Sequence, residues 1–122
     1  MEQMEKETLD GLEKARRIAD IASDKLAIDI VLLDSRGVCS FSDYFVMVSG
    51  ESVRQLTAVA EEIIHQLKQE GSYPLHREGT ADSGWILLDY GDVIVHIFSE
   101  SERQIYKLDE MWHEARPVLR MG

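Results

Sequence analysis

Apolar positions recur along the chain in two rhythms, one near three to four residues and one of two, and the rhythm changes several times. From Met4 to Ala27, Leu9, Leu12, Ala15, Ile18, Ala19, Ala22 and Leu26 fall three and four apart, which gathers them on one stripe of an amphipathic helix. Ile28-Asp29-Ile30-Val31-Leu32-Leu33 then reads as a buried strand, Asp34-Ser35-Arg36-Gly37 as turn chemistry, and Tyr44-Phe45-Val46-Met47-Val48 as the next strand. Val38 to Ser42 could extend either strand and is left unassigned. Ser52 and Gln55 have capping-box spacing and open a second helix whose stripe is Leu56, Val59, Ala60, Ile63, Ile64 and Leu67, ending near Gly71.

The period of two is clearest from Trp85 to Phe98. Two runs rich in aromatic and β-branched residues flank Asp89-Tyr90-Gly91-Asp92, the pattern of a β-hairpin. Alternation places Trp85, Leu87 and Asp89 on one side of the first strand and Ile86, Leu88 and Tyr90 on the other. In the second strand Val93, Val95 and Ile97 share one side, and Ile94, His96 and Phe98 the other. Neither side is plainly polar, so both expect cover. Tyr73 to Gly84 holds a short edge-strand candidate and a Gly/Ser loop. Ser99 to Ser101 can cap a third helix with Ile105, Leu108, Trp112 and Ala115 on its stripe and Tyr106 on its edge, and Pro117 closes it.

This order predicts one α/β or α+β domain spanning residues 1–122, a mixed sheet of four or five strands shielded by three helices. If the helices lie mostly on one face, Trp85 and Phe98 on the other stay partly open, and an apolar patch rimmed by charge marks an interaction site. Trp85, first in its strand, is the expected anchor. Arg103 and Tyr106, three apart on a helix, are expected to border the same surface.

Composition narrows the functional classes. The net charge of −10 argues against a protein that grips phosphate backbone, which needs clustered Lys and Arg. From Asp82 to Glu110 seven acids stand against Arg103 and Lys107, so half of that charge lies around the hairpin. A basic protein partner fits this, as does a merely solvated face. Cys39 is alone, which excludes an internal disulfide. The charged N-terminus has no signal-peptide core, and no apolar run approaches a membrane span, so a cytoplasmic protein without membrane contact is expected.

Catalytic constellations are sparse. His65, His76, His96 and His113 lack metal-ligand spacing, and no nucleophile elbow is present, so neither metal nor cofactor is expected. Ser49-Gly50-Glu51-Ser52 lacks the glycines or Lys of a phosphate-binding loop and puts Glu51 in the way. Asp89 and Asp92 bracket a turn tip and read as turn residues before they read as an acid/base pair. His96, between Ile94 and Phe98, reads first as a satisfied structural histidine.

Several segments in one order resemble the ribosomal silencing factor family, also called Iojap-like. They are Asp29-Ile30, Asp43-Tyr44-Phe45-Val46 before Ser49-Gly50 and Ser52-Val53-Arg54-Gln55, Glu78-Gly79, Trp85 through His96, and Arg103-Gln104-Ile105-Tyr106-Lys107-Leu108-Asp109 before Trp112. The likeness runs from about Lys25 to Trp112. Asp109 departs from the family's usual Glu.

The resemblance implies a protein that is not an enzyme and that binds the large ribosomal subunit through its ribosomal protein number fourteen. Sitting where the small subunit docks, it would block subunit joining and repress translation in starved or stationary cells, with rRNA contact peripheral at most. It also implies a nucleotidyltransferase-like fold, but no Asp-x-Asp or Asp-x-Glu pair follows Ser49-Gly50, so the fold does not carry that activity. The residues expected to meet the partner are Trp85, Leu87, Asp89, Tyr90, Asp92, His96, Arg103 and Tyr106. An apolar sheet face also offers a route to a homodimer when no ribosome is present. The alternative is a metal-dependent nucleotidyltransferase or nucleotide hydrolase using Asp43, Asp89 or Asp92.

Overall fold

A computed structural model of the chain describes residues 10–37, 42–106 and 116–121, without the side chains of 104–106 and 116. Helix α1 (Gly11–Asp24) leads into β1 (Ile28–Asp34) and β2 (Tyr44–Gly50), then α2 (Val53–Gln69), β3 (His76–Thr80), a 3₁₀ turn at Ala81–Ser83, β4 (Trp85–Asp89), β5 (Val93–Ser99), α3 (Glu100–Tyr106) and β6 (Arg116–Met121). The mixed α+β class holds. The sheet runs β3-β4-β5-β2-β1-β6, one strand more than the expected maximum, with β2 and β5 parallel and every other neighbouring pair antiparallel.

The extra strand is β6. Pro117, expected to end the third helix, lies in β6 opposite Leu33, at the point where the β1–β6 register shifts. Proline is tolerated there because an edge strand has no second neighbour to receive an N–H. The third helix's Leu108, Trp112 and Ala115, Cys39, and the first helix's start at Met4 to Leu9 lie outside the described residues.

Helix α1 begins at Asp10, whose carboxylate accepts from the Glu13 amide at 2.8 Å. It ends before Leu26, which is a second departure. The Ala27 amide donates back to Ala22 O (3.0 Å) and the Leu26 amide to Ser23 O (2.9 Å), the Schellman pattern, with Leu26 in the left-handed position that glycine usually fills. At φ +67° its side chain leaves the stripe and stands 77% exposed. Gln55 holds the corner, donating to the carbonyls of Lys25 (3.1 Å) and Leu26 (2.7 Å).

Both α1 and α2 cover one face of the sheet. Ala15, Ile18, Leu56, Ile63 and Leu67 of the helices close over Ile30, Leu32, Val46, Val48, Ile86, Leu88, Val95 and Ile97 as one buried cluster. The opposite face carries a second cluster of Val31, Leu33, Phe45, Met47, Ile94 and Phe98, with Trp85 and Leu87 packed partly buried against it. The division follows from strand alternation, and register confirms it: Trp85 pairs with Phe98, Leu87 with His96 and Asp89 with Ile94.

Candidate functional site

The second face grades from closed to open across the sheet. On the inner strands Phe98 and Met47 are fully buried and Phe45 and His96 nearly so, whereas Trp85 and Leu87 on β4 are half-buried and Glu78 on β3 is exposed. The expectation that Phe98 stays open with Trp85 is therefore corrected. The Trp85 ring stacks on Phe98 at 5.4 Å and so lies over it. What remains accessible is a strip along the β3–β4 margin.

Trp85 is held by Phe98 and His96 together. Its ring also stacks on His96 at 5.9 Å, and its indole N–H donates to His96 Nδ1 at 3.2 Å. His96 stacks in turn on Phe98 (5.8 Å) and Phe45 (5.7 Å). A ring nitrogen that accepts must be unprotonated, so this bond fixes a neutral His96 with its proton on Nε2. Burial, with the charge of Arg103 adding to it, lowers its pKa to about 4. Arg103 is itself anchored, donating to Asp29 O (2.6 Å) and Ser49 Oγ (2.9 Å). Asp29 holds φ +50° beside the register shift in β1, so that its carbonyl meets the guanidinium away from the β1–β2 ladder.

A corner after β3 aims Trp85. Gly79 has φ +83°, and a Cβ there would lie 2.1 Å from the Trp85 carbonyl oxygen, so any larger residue would push the two strands apart. Thr80 and Ser83 cap each other across the 3₁₀ turn, and Ser83 Oγ also donates to Trp85 O at 3.3 Å. A small cleft of about 130 Å³ opens beside this corner, lined by Glu78, Gly79, Ser83, Trp85 and Leu87.

The expected partner-binding residues thus divide. Trp85, Leu87 and Asp89 share the open strip. His96 is buried behind it, and Arg103 is half-buried on the same face. Tyr90 and Asp92 belong with α1 instead: Asp92 pairs with Lys14 Nζ at 3.0 Å, and the same ammonium sits 5.8 Å from the Tyr90 ring centre. Tyr90 is buried among the helix-side residues and its hydroxyl, without a hydrogen-bond partner among the described residues, has a pKa pushed up to about 12 by burial. The Tyr106 side chain lies outside the described residues. Glu78 and His76, bonded to each other at 2.7 Å, complete the strip although the sequence pattern did not single them out. The signal for Glu78 was Glu78-Gly79 among the segments that carry the family resemblance.

The three aspartates of the enzyme alternative have separate duties. Asp89 accepts from the Gly91 amide at 2.7 Å, Asp92 pairs with Lys14, and Asp43 is exposed ahead of β2. Among the described residues no group of three or more His, Cys, Asp or Glu is placed to hold a metal. Gly50, in the turn read against phosphate binding, has a packing reason: a Cβ there would lie 2.7 Å from Leu56 Cδ2. No described helix is long and apolar enough to cross a membrane.

Known proteins match this fold closely. A crystal structure of a Chromobacterium violaceum protein is 27% identical, covers 93% of this chain and 95% of its own, and superposes with a TM-score of 0.83. One from Bacillus halodurans is 32% identical with a TM-score of 0.73, covering 88% and 95%. By sequence, the ribosomal silencing factor RsfS of Bacillus subtilis is 39% identical over 80% of this chain and 82% of its own, and that of Haemophilus influenzae 35% over 87% and 91%. The chloroplastic Iojap protein of Zea mays is 30% identical over 88% of this chain and 46% of its own. Residues 8–121 match the family described as ribosomal silencing factor during starvation, and to that family this chain belongs.

Proposed function

We propose that the protein binds the large ribosomal subunit through ribosomal protein number fourteen, on the surface where the small subunit docks, and so keeps the subunits apart when cells starve. Family membership supports the ribosome as target. The observation that carries the docking surface is the half-open Trp85–Leu87 strip, an aromatic and an aliphatic residue at the margin of a face that is otherwise buried. Aromatic anchors seated on a rigid bed supply much of the affinity in protein interfaces, because little side-chain entropy is left to lose on binding. Exposed acids nearby, Glu78, Asp82 and Glu100, suit a basic ribosomal protein and act mainly on the rate of encounter.

The mechanism is steric. No bond is made or broken, and no nucleotide is needed. The test mixes purified protein with separated large subunits and sediments the mixture before and after small subunits are added. The protein is expected to travel with free large subunits and to lower the yield of joined ribosomes. Binding only to joined ribosomes, or unhindered joining at saturating protein, overturns the proposal. Trp85→Leu tests the surface, since it keeps apolar cover over Phe98 while removing the ring. It is expected to weaken large-subunit binding by ~2 kcal/mol or more and to leave a cooperative thermal transition.

A further inference from the structure

We infer that the cleft beside Trp85 receives one basic side chain of the docked partner, an arginine by its shape, with its stem against Trp85 and Leu87 and its guanidinium on Glu78. The inference rests on the docking reading above and names the chemistry that the same strip would recognise.

Two features of the cleft point to this occupant. Its volume of about 130 Å³ lies well below that of pockets that enclose a nucleotide or other small ligand, which leaves a side chain as the fitting occupant. Its walls are unlike in kind: the Trp85 ring and Leu87 are apolar, Gly79 adds no side chain, and Glu78 supplies a carboxylate and Ser83 a hydroxyl. A long side chain with an aliphatic stem and a cationic head matches that division, and a guanidinium can also lie flat on an indole and meet a carboxylate with two N–H groups. A purely aliphatic side chain would leave Glu78 facing apolar atoms, and an acidic one would be repelled.

Register explains why the carboxylate is placed for it. Glu78 pairs directly with Leu87, so both point to the second face. Arg77 pairs with Leu88 and therefore belongs to the other face, where its own cation cannot fill the cleft. Asp89, next along the strip, is bound to the Gly91 amide. His76 is the one described competitor for Glu78, and both side chains of that pair are more than half exposed, so an incoming guanidinium displaces or shares a weak surface contact.

Nuclear magnetic resonance with N-acetyl-arginine amide tests the cleft directly. The probe is expected to shift the amide signals of Glu78, Gly79 and Leu87 and the Trp85 indole N–H, and Glu78→Gln should abolish the response. N-acetyl-leucine amide should leave those signals in place. Equal shifts from the leucine probe, or none from the arginine probe up to its solubility limit, overturn the inference. With purified large subunits, Glu78→Gln should weaken binding about tenfold and flatten its salt dependence, while Glu61→Gln, on the outer side of α2, changes neither. Glu78 is exposed, so its replacement should leave the thermal midpoint unmoved. Should Glu78→Gln bind like wild type while Trp85→Leu does not, the cleft assignment fails and the docking reading stands. Should both bind like wild type, the docking surface itself is wrong and the cleft falls with it.

Discussion

The two faces of the sheet solve the problem of burial differently. Beneath α1 and α2 the residues are almost all aliphatic and buried, and charge touches them only at the edge, where Lys14 meets the Tyr90 ring and Arg36 the Tyr44 ring. The second face adds to its aliphatic residues three aromatic rings, Phe45, Trp85 and Phe98, stacked around one histidine, with an arginine reaching over its end and a margin left half open. Aliphatic packing gives stability without direction. Stacked rings with polar edges give direction as well, because a ring nitrogen and an indole N–H must meet at one angle. The first face therefore holds the fold together, and the second holds a few side chains in one pose.

Truncation should separate the two most sharply. Ile97→Ala, under the helices, is expected to cost ~3–4 kcal/mol of unfolding free energy, whereas Leu87→Ala at the open margin should cost ~1 kcal/mol yet weaken binding to large subunits. Chemical denaturation beside a binding titration reads both. If the two substitutions cost the same stability, the margin is as closed as the core and the contrast is lost.

Acid should find the second face first. Neutral His96 is favoured in the folded chain, with its pKa near 4 against an ordinary 6.5, so the unfolded chain binds the extra proton between those values. The stability this contributes is complete above pH 6.5 and is lost as the pH falls toward 4, at most ~3 kcal/mol. His96→Asn keeps an acceptor near Nδ1 and cannot titrate. Subtracting its denaturation profile from that of wild type should leave a slope confined to that window, and a flat difference would mean that His96 carries no such linkage.

Smaller effects probe the first face at its flaws. Tyr90→Phe removes a buried hydroxyl that has no partner among the described residues, and is expected to leave stability unchanged or raise it by up to ~1 kcal/mol. A clear loss would show that the hydroxyl is satisfied. Leu26→Gly relieves a left-handed backbone without giving up buried area, and should raise the thermal midpoint slightly, by an equivalent of ~0.5 kcal/mol. If the midpoint falls instead, the exposed leucine is packing against something that the Schellman turn does not explain.

Much of this architecture was legible because alternation is geometric. Once Trp85 to Phe98 is a hairpin, the sharing of one face by Trp85, Leu87 and His96 follows from the pleat and the register alone. Burial is harder to read, since it depends on what lies across the sheet: Phe98 and Trp85 share a face, but one ring sits under the other. Asp89 and Asp92 are near in sequence and were grouped, yet the turn between them sends Asp92 to Lys14 of α1, 78 residues away. Leu26 kept the helical spacing while the backbone had already turned, because a helix end is set by carbonyl partners and by a Gln55 that lies far along the chain. Glu78 sits in a strand with every residue exposed, which has no hydrophobic period to announce it. Strand β6 hid for a related reason, its Pro and two Arg fitting an edge and no interior strand.

That last strand ties the order of folding to the order of synthesis. Strand β1 is an inner strand only because β6 pairs along it, from Ile30 opposite Met121 to Asp34 opposite Arg116. Until the segment carrying Arg116–Met121 has been made and released from the exit tunnel, β1 presents a bare row of amides and carbonyls alongside Val31, Leu32 and Leu33. Such an edge recruits other strands, including those of neighbouring nascent chains, and closing it requires a contact spanning most of the sequence, which is slow to form. A chain stalled before residue 116 is thus expected to leave β1 unpaired and to aggregate, even with both helices and the hairpin already in place.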